Sequence, residues 1–185
     1  MHILLIEDNP WDTRLIGDML AEAQDESFIL STADNLTEGK RLLGMGDIDL
    51  VLLDLMLPDS EGLDTLHSVL DAAPSVPIVI CSAISNKEVT LQAVSEGAQD
   101  FLIKGSIDPA TLVRSMRYAR ERKRSEEALK LAHDHLEMRV KQRTAELTET
   151  NELLRKEITE RKAAEESLSS LRKAVESSAV GITVT

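Results

Sequence analysis

Five short apolar runs, at residues 3–6, 28–30, 50–53, 78–80 and 101–103, alternate with longer amphipathic segments near 11–23, 35–44, 62–72 and 87–96. Within each run the apolar residues are consecutive rather than spaced by two, which suits strands covered on both faces. Crossover helices then connect strands running in the same direction. This pattern predicts a doubly wound α/β domain around a five-stranded parallel sheet.

Beyond Ile107 the pattern changes. Asp108 and Pro109 read as an N-cap followed by proline in the first helical position, and no further proline or glycine occurs before Gly181. A helix running to about residue 177 would be roughly 100 Å long, far more than a small domain can cover. Leu129, Leu136, Val140, Leu147, Leu154, Ile158, Leu168, Leu171 and Val175 mostly recur at seven, or at three and four, so a coiled coil is expected. A stutter near residues 140 to 150 reconciles the Val140–Leu147 spacing with the seam through Leu147, Asn151, Leu154 and Ile158.

Charge separates the two parts. Residues 1–110 carry 20 acids against 5 bases, whereas residues 111–185 carry 13 against 16, within a net charge of -12. Nothing in the first part would neutralise phosphates along a duplex, and an aromatic content of 2% leaves no base-stacking surface. No nucleic-acid binding is therefore expected of this chain. Cys81 is the single cysteine, which excludes a disulfide framework, and the apolar Val79 and Ile80 before it indicate a buried thiol. No apolar run is long enough for a bilayer span, so no membrane association and a cytoplasmic location are expected.

In doubly wound folds the ligand site lies at the carboxyl ends of the strands. There the chain places Glu7 and Asp8 after the first run, Asp54 after the third, Ser82 after the fourth and Lys104 after the fifth. Three carboxylates at neighbouring strand ends repel one another unless a hard cation lies between them, which points to Mg2+. Asp54 would act as a carboxylate nucleophile toward a phosphoryl donor, with Lys104 neutralising phosphoryl oxygens and the Ser82 hydroxyl donating a hydrogen bond.

These residues, with the stretch from Leu53 through Asp54, Met56 and Pro58 to Gly62 and the pair Ser82-Ala83, resemble the CheY-like receivers of bacterial response regulators over roughly the first 120 residues. The resemblance implies a flavodoxin-like receiver fold with Asp54 as the phosphoacceptor. It implies Mg2+ held by Asp8 and Asp54, by Glu7 through a bound water, and by the Met56 backbone carbonyl. It further implies Ser82 and Ala83 at the phosphate, Ser82 as a hydroxyl switch and Phe101 as an aromatic switch. The implied partner is a histidine kinase or phosphotransfer protein. Many receivers have proline after the lysine, whereas Lys104 is followed by Gly105. Trp11, at the start of the first helix, reads as pocket-lining or helix-packing.

Residues 139–147 and 157–168 resemble signalling helices of two-component proteins, and residues 171–185 resemble the entry helix and first strand of a PAS domain, which suggests a fragment of a longer protein. The expected organisation is a receiver at 1–120, a coiled-coil signalling helix at 121–176 and the start of a PAS domain at 177–185. The chain would then be a phosphorelay module that forms a parallel homodimer through its long helix and passes the phosphorylation state to a PAS or output module. The alternative is the N-terminal part of a hybrid histidine kinase or nucleotide cyclase, so enzymatic activity of the whole protein stays open.

Overall fold

The computed structural model describes residues 1–23, 27–83 and 87–180. Elements follow in the order β1 (His2–Ile6), α1 (Pro10–Glu22), β2 (Ile29–Ala33), α2 (Leu36–Gly44), β3 (Leu50–Leu53), β4 (Met56–Leu57), β5 (Ser60–Glu61), α3 (Leu63–Ala72), β6 (Ile78–Ser82), α4 (Lys87–Ser95), β7 (Asp100–Ile103) and α5 (Pro109–Val180). The main sheet has five parallel strands in the order β2-β1-β3-β6-β7. The chain moves outward from β1 to β2, then returns to the other side of β1 for β3. The strand order therefore reverses between β1 and β3, which opens a crevice at their carboxyl ends.

Consecutive strand residues feed two different cores, and this is why the runs are uniformly apolar. Ile3 and Leu5 join Leu50, Leu52, Val79 and Cys81 against Ile16 and Leu20 of α1 and Leu112, Met116 and Ala119 of α5. Leu4 and Ile6 join Val51, Leu53, Ile78 and Ile80 against residues of α2, α3 and α4, including Leu43, Leu66 and Ala93. Removing such side chains from water is the main stabilising term, about 1.5–3 kcal/mol for each fully buried Leu, Ile or Val. Burial holds the Cys81 thiol up at about 12, so it is protonated at neutral pH.

One expectation needs correction. The second strand lies at Ile29–Ala33 rather than at residues 28–30, because an edge strand contacts only one neighbour and can include Ser31 and Thr32. Its Ile29 is 63% exposed, so a continuous apolar run is the wrong signal there. The sequence reading also missed the two-residue hairpin β4–β5 directly after Asp54, which pairs Met56 with Glu61 and Leu57 with Ser60.

The long helix is present as α5, capped by Asp108, which accepts from Thr111 N at 2.7 Å and from Thr111 Oγ1 at 2.9 Å. Its first turns are joined to the sheet edge by Ser115 Oγ, which donates to Asp100 Oδ2 at 2.5 Å, and by Arg122, which donates to the Gln99 carbonyl at 3.2 Å. The chain divides into compact units at Met1–Lys130 and Leu131–Thr185. In the second unit every side chain described, through Val175, is exposed. Residues 181–185, where a first PAS strand was expected, lie outside the described residues. No helix among the described residues is long and apolar enough to cross a membrane.

Candidate functional site

Strand alternation continues for two residues past β1, so Glu7 turns inward, 3% exposed, and Asp8 turns outward. Asn9 then caps α1: its side chain accepts from Trp11 N at 3.0 Å, and its own N–H donates to Glu7 Oε1 at 3.1 Å. Asp54 follows β3 at 5% exposure, and its N–H donates to the Ile6 carbonyl at 3.0 Å, which ties the two strand ends together. The Met56 N–H donates to Asp54 Oδ1 at 3.1 Å.

Lys104 leaves β7 with its N–H donating to the Ser82 carbonyl at 2.9 Å. Its ammonium lies 2.5 Å from both Glu7 Oε2 and Asp54 Oδ2 and 3.0 Å from Asp12 Oδ2. Burial by itself would lower the pKa of this amine, but hydrogen bonds to Asp54, Glu7 and Asp12 outweigh it and hold the lysine above its ordinary range. Glu7 behaves oppositely: burial raises its carboxyl, and Lys104 offsets only part of the rise.

One ammonium does not balance this cluster. Glu7, Asp8 and Asp54 each offer a carboxylate oxygen, all within 4.8 Å of one another. Glu7 Oε2 is fully buried and faces the Lys104 ammonium, which it shares with Asp54 and Asp12. Crowded hard oxygen donors that share a single ammonium are a donor set that fits a small divalent cation such as Mg2+.

Of the residues expected from the sequence, Glu7, Asp8, Asp54 and Lys104 come together, and Met56 touches Asp54 through its backbone. Ser82 is fully buried at the end of β6, paired in register with Ile103, while Ala83 beside it is exposed. Phe101 is half-buried on β7 and packs against the core formed with α2, α3 and α4. Trp11 is 75% exposed. Asp12 escaped the sequence reading, although its place in the first turn of α1, directly above the strand ends, was the available signal.

A parallel sheet with a lysine-bridged carboxylate pocket at its topological switch point defines a phosphoacceptor switch of the two-component class. The family model for the response regulator receiver domain matches residues 3–117, and the chain belongs to that family. It is 38% identical over 105 residues to the glycerol metabolism activator of Pseudomonas putida, covering 56% of this chain and 47% of that protein. It is also 38% identical over 104 residues to the cell cycle transcriptional regulator CtrA of Caulobacter vibrioides, covering 56% and 44%. The chain thus spans about half the length of these curated relatives. Among solved structures it resembles a receiver domain protein from Clostridium thermocellum, with 26% identity and a TM-score of 0.58 over 66% of this chain and 96% of that one. NtrX from Brucella abortus, 25% identical, gives a TM-score of 0.61 over 70% of this chain and 28% of its own.

Proposed function

We propose that Asp54 is the residue that accepts the phosphoryl group, from the phosphohistidine of a histidine kinase or phosphotransfer protein. The observation that carries this reading is the placement of Asp54, with Oδ1 held by the Met56 N–H and Oδ2 by Lys104, beside Glu7 and Asp8. A carboxylate oxygen of Asp54 forms the new bond to phosphorus as the donor's P–N bond breaks, and the electron pair leaves with the imidazole nitrogen. Asp8, Asp54 and the Met56 carbonyl would hold Mg2+, with Glu7 acting through a bound water. When bound, Mg2+ supplies the charge neutralisation that lets a dianionic donor approach these carboxylates. Lys104 is placed to shift from a carboxylate to a phosphoryl oxygen, and Ser82, Ala83 and Phe101 form the switch that responds.

The test is phosphorylation by acetyl phosphate with Mg2+, followed by phosphate-affinity gel mobility. Wild type is expected to shift and Asp54→Asn to remain unshifted. A wild type that never shifts overturns the assignment.

We further propose that residues 121–176 form a parallel homodimeric coiled coil between the receiver (1–120) and a PAS module beginning at 177–185, in a cytoplasmic protein. Its support is the seam of apolar side chains left open to water: Leu136 at 58%, Val140 at 64%, Leu147 at 62%, Leu154 at 50% and Ile158 at 53% exposure. Phosphorylation then changes the packing of the two receivers and the register of the coil. Sedimentation and spin-label distances along residues 129–175, with and without acetyl phosphate and Mg2+, test this. Unchanged dimer affinity and unchanged distances would sink the coupling.

A further inference from the structure

The amino terminus of α2 is capped by a residue that does not belong to it. An α-helix begins with four N–H groups lacking intrahelical partners. In α2 the last of these groups is capped in the ordinary way: Asn35 is the N-cap, its side chain accepting from Glu38 N at 2.8 Å, and its carbonyl accepts the first intrahelical bond, from Gly39 N at 3.1 Å. The two groups before it are taken by Asp59, from the tip of the β4–β5 hairpin. Asp59 Oδ1 accepts from Leu36 N at 2.8 Å, and Oδ2 accepts from Thr37 N at 2.9 Å and Thr37 Oγ1 at 2.8 Å.

The base of the same hairpin touches the phosphoacceptor. Met56 is the first residue of β4, and its N–H holds Asp54 Oδ1. Gly62 N closes the base by donating to the Leu55 carbonyl at 2.7 Å, while Thr65 Oγ1 donates to Ser60 Oγ at 2.8 Å. Leu55 and Leu57 anchor one side of the hairpin in the core. A two-stranded hairpin with only two residue pairs is not stable by itself, so its other side depends on what fixes the tip. Asp59 fixes the tip to α2, beside the Ser60 that Thr65 holds to α3.

We infer that Asp59 is a positioning residue for Asp54: by tying the hairpin tip to the start of α2, it fixes the Met56 N–H and hence the orientation of the attacking carboxylate. The inference rests on Asp54 as the phosphoacceptor. A small misplacement of a nucleophile slows reaction far more than it weakens the fold.

The experiment compares wild type, Asp59→Ala, Asp59→Asn and Asn35→Ala, each checked for folding by circular dichroism. Asn35→Ala is the control, because it removes a cap from the same helix terminus without touching the hairpin. In metal-free protein, exchange of the Met56 amide followed by NMR is expected to quicken about tenfold in Asp59→Ala and to stay at the wild-type rate in Asn35→Ala. With acetyl phosphate at saturating Mg2+, the phosphorylation rate is expected to fall about tenfold in Asp59→Ala, less in Asp59→Asn, and under about twofold in Asn35→Ala. Equal behaviour of Asp59→Ala and Asn35→Ala would reduce Asp59 to a helix cap and overturn the inference. A wild type that takes no phosphate counts against the phosphoacceptor reading alone, and the amide readout still decides the role of Asp59. Should Asp59→Ala fail to fold, Asp59→Asn supplies both measurements.

Discussion

Lys104 and Asp54 meet at 2.5 Å although β7 and β3, the strands that carry them, are separated in the sheet by β6. The lysine side chain crosses the end of one strand to reach the carboxylate, and it meets Glu7 beyond it on β1. Removing this cation leaves two buried carboxylates facing each other. Lys104→Ala is expected to lose roughly 3 kcal/mol of stability in metal-free protein, the usual result of breaking a buried ion pair. Added Mg2+ should restore part of the loss in urea denaturation, and phosphorylation by acetyl phosphate should slow by about a hundredfold.

The turn after Lys104 depends on a backbone conformation that only glycine adopts easily. Gly105 has φ +84, with nothing within 4 Å of the position a Cβ would take. Gly105→Ala is therefore expected to cost about 1 kcal/mol through backbone strain alone. Gly105→Pro, which locks φ near −65°, should cost more and should slow phosphorylation by displacing Lys104. Thermal melts of both variants, set beside their phosphorylation rates, check the order.

Asp108 makes a pH-dependent contribution at the start of α5. Hydrogen bonds from the Thr111 backbone and hydroxyl lower its carboxyl below the ordinary 3.8. A carboxylate with a lowered pKa in the fold stabilises at higher pH, and that stabilisation fades as pH falls through the folded value. The gap in melting temperature between wild type and Asp108→Ala should be steady at neutral pH and close as the solution is acidified below 3.8. A gap that persists in strong acid would contradict the charged cap.

The open seam of α5 predicts self-association. Leu154→Asp, at the least exposed of the seam leucines, should weaken the dimer by more than about tenfold in sedimentation equilibrium. It should also reduce helix content, since a long polar helix has little intrinsic stability without a packed face.

Much of this was legible in the sequence, for physical reasons that can be named. Glu7, Asp8 and Asp54 follow runs buried on both faces and Lys104 follows the apolar edge strand β7, so the apolar pattern located the strand ends and the strand ends located the charges. β2 was misplaced because an edge strand is not obliged to be apolar throughout. The β4–β5 hairpin was invisible, since two residues per strand are too few to show a period. Asp59 was hidden for another reason: its partners Leu36 and Thr37 are 23 and 22 residues away, and only the folded chain brings them together.

The division of β1 between two cores carries a rule about how such a chain can change length. Ile3 and Leu5 go to one side of the sheet and Leu4 and Ile6 to the other, and the same alternation sends Glu7 inward and Asp8 outward. Inserting or deleting one residue within β1 would exchange the two sets and reverse the two acids. Single-residue changes of length should therefore be tolerated in the loops of this chain and not inside β1, which is register-paired on both sides.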